Sequence, residues 1–174
     1  MPTRFHKNIR MAEWDYSQSA VYMVTMCVSD RTHRFGSISD ADEMYLNDAG
    51  RMILQELLRV ESDHPHSTII ESVIMPNHLH MLIGINLALD VRHSSGLPDI
   101  IGGFKSHTTN RYIKGVRMGL LPPFHKKLWQ EGYYETVMRN QRMTEERRQY
   151  IINNPSNWRH DPEMNSPNDV THKG

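Results

Sequence analysis

Apolar residues recur at two different spacings along the chain, and these spacings predict a small mixed structure. Runs rich in β-branched and apolar residues predict four strands, at 20–28, 67–75, 78–85 and within 129–137, where 133–137 is the core of the strand. Apolar positions three and four residues apart predict two helices, from 47 or 48 to about 61 and from 99 to about 114. A third helix is expected to begin at Thr144 and to end near Asn154, because Pro155 cannot continue it.

The order of these elements predicts the fold. Strand, helix, strand, strand, helix, strand is a split β-α-β arrangement, so we expect a ferredoxin-like (RRM-like) α+β fold, βαββαβ, with antiparallel pairing and an added C-terminal helix. Short segments at 35–38 and 44–46 predict a small hairpin. We expect one domain over residues 1–174, with a core of about 8–158 and a polar tail at 159–174. From residue 156 onward the chain is expected to pack loosely.

The strand at 78–85 carries two histidines in an alternating pattern. Side chains two residues apart share a face of a strand, so His78 and His80 are expected opposite a core face that consists of Leu79, Met81, Ile83 and Ile85. The two Cα atoms would lie about 6.6 Å apart, and a carboxamide or carboxylate from elsewhere would complete a divalent-metal site. By spacing alone, two partly exposed histidines without a ligand are the simpler interpretation. His64 and His66 share this spacing in a proline-containing turn.

The last predicted helix carries a second set of candidate groups. Tyr150 and Asn154 are four residues apart, so they would project from the same side of that helix. If that side of the helix faces the sheet, the carboxamide oxygen and the two imidazoles could together hold Mg²⁺ or Mn²⁺ and leave positions for substrate oxygens. The spacing therefore predicts a phenol beside a carboxamide, both facing a sheet that displays two histidines.

Composition narrows the class of protein. The 174 residues are 38% hydrophobic and 23% charged, which is typical of a globular chain. No apolar run of about 18 residues and no apolar signal core are present, so we expect a cytoplasmic protein without a membrane span. The single cysteine, Cys27, cannot form an internal disulfide and is expected to pack as a small hydrophobe.

Charge is unevenly distributed along the chain. The formal net charge is zero, yet residues 105–148 contain ten basic and four acidic residues. A basic surface of this kind could follow a phosphate backbone, although ordinary solvated helix faces would give the same count. The candidate DNA contacts are Lys105, Arg111, Trp129 and Arg147. Trp129 could stack on an unpaired base, or it could be a buried anchor.

Two motifs together resemble a known family. These are Met75-Pro76-Asn77-His78-Leu79-His80 and, some seventy residues later, Tyr150-Ile151-Ile152-Asn153-Asn154-Pro155. The sequence resembles the IS200/IS605-type single-tyrosine transposases of the HUH endonuclease superfamily, and particularly the REP-associated tyrosine transposases. The resemblance extends over most of residues 8–158.

The resemblance implies roles for individual residues. His78 and His80 match the paired metal ligands, Tyr150 matches the nucleophile, and Asn154 matches a third ligand that is glutamine in the best-known members. It further implies a Mg²⁺- or Mn²⁺-dependent endonuclease and strand-transfer activity through a 5′-phosphotyrosine. The implied partners are single-stranded DNA with hairpins and a second copy of the chain, with nucleoid association on DNA. In some members the tyrosine helix acts on the metal site of the partner.

Three other functions remain open from the sequence. A catalytically silent protein on the same fold could bind hairpins without cutting them. A metal-dependent hydrolase could use the two histidines with a different base. A structural protein could carry the histidines incidentally.

Overall fold

The computed structural model describes residues 4–6, 19–86 and 96–163. The strands are β1 (Arg4–His6), β2 (Ser19–Cys27), β3 (Gly36–Ile38), β4 (Met44–Leu46), β5 (Ser67–Ile74), β6 (His78–Asn86) and β7 (Tyr134–Met138). The helices are α1 (Asp48–Leu57), α2 (Val60–Asp63), α3 (Leu97–Arg117), α4 (Gln141–Asn153) and a 3₁₀-helix (Pro155–His160). Residue 8, where the predicted core begins, and residues 164–174 of the predicted tail lie outside the described residues.

The main sheet has the ferredoxin-like strand order. Its strands lie in the order β1-β5-β6-β2-β7, and every neighbouring pair is antiparallel. With α1 between β2 and β5, and α3 between β6 and β7, the βαββαβ prediction is confirmed. β3 and β4 form the separate small hairpin.

Three predicted boundaries are wrong. The strand expected within 129–137, with its core at 133–137, begins only at Tyr134, because Gly132 has a φ of 72°, a left-handed conformation that cannot continue a strand. The helix expected from 47 or 48 to 61 is divided, with α1 ending at Leu57. α4 begins at Gln141 rather than at Thr144, because the side chain of Asn140 accepts the Met143 N–H at 2.9 Å and caps the helix.

The two faces of the sheet are covered by different elements. Met26 on β2 and Leu79, Met81 and Ile83 on β6 pack in the core that includes residues of α1 and α3. Leu82, from the other face of β6, packs with Ile151 of α4. The alternation predicted for the histidine strand is therefore confirmed, and it directs His78 and His80 toward the layer of α4.

The segment after α4 is packed onto the sheet. Trp158 of the 3₁₀-helix is buried in the core cluster that also contains Ile151 and Leu82. Arg148 on α4 adds an ion pair with Glu71, which is buried on β5, at 3.6 Å. The expectation of loose packing from residue 156 is wrong for 156–163, because Trp158 buries an apolar surface that the polar composition of the segment conceals.

Cys27 is buried, as predicted. Among the helices that the structure describes, none combines the length and apolar character needed to cross a membrane.

Candidate active site and metal centre

His78 and His80 converge on one point beneath α4. Both side chains are buried, and their Nε2 atoms are 3.0 Å apart. Two ligands at right angles, each about 2.1 Å from an octahedral ion, are separated by about 3.0 Å. The separation of the two nitrogens therefore fits a pair of ligands to one divalent ion. The ring centroids of His78 and His80 are 4.5 Å apart, whereas those of His64 and His66, which have the same spacing in sequence, are 6.0 Å apart.

Hydrogen bonds at the other ring nitrogens orient the imidazoles. Asn77 donates from Nδ2 to the backbone carbonyls of Arg31 and Glu163, so its Oδ1 is left to accept the Nδ1–H of His78 at 2.9 Å. Thr25 Oγ1 lies 2.7 Å from Nδ1 of His80. With its proton on Nδ1, His78 presents a bare Nε2 lone pair, which is the form that binds a metal.

Both imidazoles are held in their neutral form. Burial lowers the pKa of His78 to about 3, and Asn154 only partly offsets this effect. Burial and the neighbouring His78 lower the pKa of His80 well below its usual value. Neither ring is therefore protonated near pH 7, so both nitrogens are available as ligands.

The side chain of Asn154 lies close to His78 and Tyr150, since it acts on the pKa of both groups. Asn154 follows directly after α4 and is buried, and its Oδ1 has no hydrogen-bond partner in the described part of the chain. An unsatisfied buried carbonyl oxygen is costly, and coordination of a cation would satisfy it. The donor set of two imidazoles and a carboxamide thus fits Mg²⁺ or Mn²⁺.

Tyr150 lies at the open side of this cluster. Its ring centroid is 5.5 Å from that of His80, and 36% of the residue is exposed. Burial and the Asp161 carboxylate raise the pKa of Tyr150, while Asn154 acts in the opposite direction. The phenol is therefore protonated near pH 7 and accessible from solvent.

Asp161 is a member of the cluster that the sequence did not indicate. It follows the 3₁₀-helix, and its Oδ2 lies 3.8 Å from Nε2 of His78. One ligand atom from each of His78, His80 and Asp161 lies within 4.8 Å of the other two. No periodicity or motif in the sequence marks Asp161. It lies within the predicted polar tail, where no functional residue is expected.

Comparison with known proteins supports a family assignment. The sequence profile of the family described as "Transposase IS200 like" matches residues 18–154. This protein belongs to the IS200-like transposase family. The transposase is also similar to an uncharacterized protein of Haemophilus influenzae (strain ATCC 51907 / DSM 11121 / KW20 / Rd), at 30% identity over 168 residues, covering 89% of this chain and 91% of the relative.

Two solved structures share the fold of the transposase. One is a REP-associated tyrosine transposase bound to a REP hairpin, with a TM-score of 0.52 and 16% identity, covering 87% of this chain and 73% of that chain. The other is a crystal structure from Deinococcus radiodurans R1 assigned as a transposase, with a TM-score of 0.51 and 16% identity, covering 84% of this chain and 96% of that chain.

Three of the residues predicted to contact DNA instead form contacts with other residues of the transposase. Trp129 is buried, and its indole N–H donates to Thr108 Oγ1 at 2.9 Å, so it is a core anchor and has no free face for a base. Arg111 pairs with the buried carboxylate of Glu56 at 2.6 Å. Lys105 donates to the backbone carbonyl of Gln130 at 2.9 Å. These contacts oppose the DNA role predicted for Trp129 and give Arg111 and Lys105 structural roles.

Arg147 is placed differently. It is exposed on α4, three residues before Tyr150, and its positive charge acts to lower the pKa of Tyr150. Of the four predicted DNA contacts, Arg147 is the one on the helix that carries the tyrosine.

Proposed function

We propose that this transposase cleaves and rejoins single-stranded DNA through a covalent 5′-phosphotyrosine on Tyr150. The observation that carries the proposal is that His78 Nε2 and His80 Nε2 meet, with the buried side chain of Asn154 beside His78 and the partly exposed ring of Tyr150 beside His80. We assign His78, His80 and Asn154 as ligands of Mg²⁺ or Mn²⁺. When bound, such an ion would polarise a non-bridging oxygen of the scissile phosphate.

Tyr150 would act as the nucleophile. Its hydroxyl oxygen attacks the phosphorus, and the bond between phosphorus and the 3′ oxygen breaks. The departing 3′ oxygen takes up one proton, which balances the proton that the phenol loses. The products are a 5′-phosphotyrosyl protein and a free 3′-hydroxyl. Because the phosphodiester energy is kept in the covalent link, a 3′-hydroxyl from another strand can reverse the step and complete strand transfer.

The proposed substrate is single-stranded DNA that carries hairpins. This proposal is supported by family membership and by the structural neighbour that was solved with a REP hairpin. The basic excess of residues 105–148 supplies charge for a phosphate backbone. As for the family in general, we propose a homodimer that acts in the cytoplasm and associates with the nucleoid through DNA.

A denaturing gel tests the proposed chemistry. Hairpin-bearing oligonucleotides from the flanks of the gene would be incubated with Mn²⁺ and wild-type protein, Tyr150→Phe or His78→Ala. Tyr45→Phe is the matched control, because Tyr45 is 57% exposed on β4, in the separate hairpin. We expect a protein–DNA adduct that survives denaturation in wild type and Tyr45→Phe and is lost in the other two variants.

Other results would select a different function. Undiminished cleavage by Tyr150→Phe, without an adduct, would indicate a metal-dependent hydrolase. Tight hairpin binding without cleavage by wild type, across a panel of hairpin-bearing strands, would indicate a catalytically silent binding protein.

A further inference from the structure

The carboxylate of Asp161 is buried and only half satisfied. Its side chain is 2% exposed, and its Oδ1 accepts the backbone N–H of Glu163 at 2.7 Å. Its Oδ2 has no hydrogen-bond partner in the described residues and points into the cluster, 3.8 Å from Nε2 of His78. A buried carboxylate oxygen without a hydrogen bond or a cation destabilises the folded state, so this oxygen requires a partner.

The neighbouring cationic groups do not supply that partner. Arg31 approaches this corner of the molecule, but its guanidinium forms an ion pair with Glu163. Nε2 of His78 lies 3.8 Å from Oδ2 of Asp161, which is too far for a hydrogen bond, and it lies 3.0 Å from Nε2 of His80. Two ring nitrogens and the Oδ2 of Asp161 therefore face one another in a buried cluster, and Oδ2 has no hydrogen-bond partner among the described residues.

We propose that Asp161 is a fourth protein ligand of the divalent ion, in addition to His78, His80 and Asn154. This inference rests on the proposed metal site. Two nitrogens and two oxygens would occupy four positions of an octahedral ion and leave two for phosphate oxygens. The carboxylate, a hard anionic donor, would neutralise half of the ionic charge and favour Mg²⁺ or Mn²⁺ over softer metals.

The position of Asp161 in the chain means that a metal ion would also connect two parts of the fold. It lies beyond residues 18–154, which are the part of the chain that the family profile matches. A metal bound by Asp161 on one side and by His78 and His80 on the other would join the segment after α4 to the central strand of the sheet. Metal binding would therefore stabilise the packing of the tyrosine helix as well as the histidines.

Metal affinity, measured apart from catalysis, tests this assignment. Titration calorimetry with MnCl₂ would use full-length protein in a Tyr150→Phe background, without DNA. Asp161→Asn keeps the size of the side chain and removes its charge, and Glu131→Gln is the control, because Glu131 is 89% exposed. We expect at least a ten-fold weaker affinity for Mn²⁺ with Asp161→Asn, no change with Glu131→Gln, and no measurable binding with His78→Ala.

Stability provides a second readout that a purely structural role would not reproduce. In EDTA, Asp161→Asn should raise the urea midpoint, because an amide costs less to bury without a partner than a carboxylate does. In saturating Mn²⁺, it should reduce the stabilisation that the ion gives to the parent protein. A fall of the midpoint in both conditions would mean that Asp161 only supports the fold, and would overturn the proposal.

The variants also separate the failure of this proposal from failure of the metal site itself. If Asp161→Asn binds Mn²⁺ within two-fold of the parent while His78→Ala does not bind, the histidine site stands and Asp161 is not a ligand. If His78→Ala binds as tightly as the parent, the proposed metal site and the assignment of Asp161 are both wrong.

Discussion

The two ring nitrogens of each site histidine have different tasks. Nε2 points into the cluster, while Nδ1 meets Asn77 in the case of His78 and Thr25 in the case of His80. Because Asn77 is itself fixed by two backbone carbonyls, it sets both the tautomer and the orientation of His78. At the proposed metal site, residues that touch only the outer ring nitrogens would therefore control the affinity for the ion.

Thr25→Val should weaken metal binding with little effect on folding. The change keeps the β-branched shape but removes the hydroxyl that lies 2.7 Å from Nδ1 of His80. Loss of such an outer partner lowers metal affinity by about 10- to 100-fold. Titration calorimetry with Mn²⁺ would measure the change, with Thr136→Val on β7 as the control because Thr136 is an exposed strand threonine. Equal affinities in the two variants would contradict the role of Thr25.

Substitution by glutamine should affect stability at Arg111 and DNA binding at Arg147. Arg111 is 42% exposed and pairs with Glu56, which is 3% exposed, so Arg111→Gln should lower the free energy of unfolding by about 1–2 kcal/mol. Arg147→Gln should leave stability unchanged but weaken DNA binding, and it should reduce the slope of log affinity against log salt by about 1. Urea unfolding and salt-dependent DNA binding would measure both quantities. A larger loss of DNA affinity in Arg111→Gln would contradict the assignment.

At the scale of elements, the site is made by α4 and the 3₁₀-helix packing on β6. Asn140 begins α4, the Arg148–Glu71 ion pair connects it to β5, and Ile151 packs against the sheet. Pro155 opens the 3₁₀-helix, whose Trp158 ring lies 6.0 Å from that of His78. This continuous segment carries Tyr150, Asn154 and Asp161, so its docking decides whether the cluster is complete.

Alkylation of Cys27 should report whether this segment is docked. Burial and the Glu163 carboxylate raise the pKa of Cys27 to about 12. At pH 8, about one molecule in ten thousand would carry the reactive thiolate, so alkylation of the native protein should be very slow. Trp158→Ala should release the segment from Cys27, lower the pKa of the thiol and accelerate its reaction with iodoacetamide at least ten-fold. Mass spectrometry would follow the rate.

Phe104→Ala provides the control for that experiment. Phe104 is buried in the layer of α3, on the other side of the sheet, so its loss weakens the fold without touching the segment around Trp158. Equal acceleration of Cys27 alkylation in both variants would mean that global unfolding, rather than local release of the segment, exposes the thiol.

At the scale of the whole molecule, a single chain brings the phenol and the donor groups together. The sheet has α1 and α3 on one face and α4 on the other, and the Tyr150 and His80 rings are 5.5 Å apart within that chain. The family resemblance alone leaves open whether the tyrosine serves its own metal site or that of a partner. The docking of α4 on its own sheet is the geometry that a site within one chain requires.

Mixing inactive variants tests that arrangement. Tyr150→Phe retains the donor groups, and His78→Ala retains the phenol, so a mixed dimer in which the tyrosine helix acts on the partner would contain one complete site. Because both groups come from one chain here, we expect the mixture to remain as inactive as either variant on a denaturing gel. Recovery of adduct to a substantial fraction of the wild-type level would contradict a site formed within one chain.

The sequence by itself determined the features that depend on local periodicity. Alternation along β6 separated His78 and His80 from Leu79 and Met81, because a strand presents successive side chains to opposite faces. Element order predicted the ferredoxin-like sheet. Four-residue spacing predicted that Tyr150 and Asn154 belong together, and their roles in catalysis remain predictions.

Only the tertiary structure decided which distant residues meet. Asp161 lies beside His78 because Trp158 and Ile151 bury their apolar surface against the sheet, and no local pattern specifies that packing. The same reason explains Trp129, which could have been a stacking platform or an anchor until its position between Phe35, Phe104 and Thr108 was known. Spacing fixes which face of an element a residue occupies, whereas burial against another element fixes what that residue contacts.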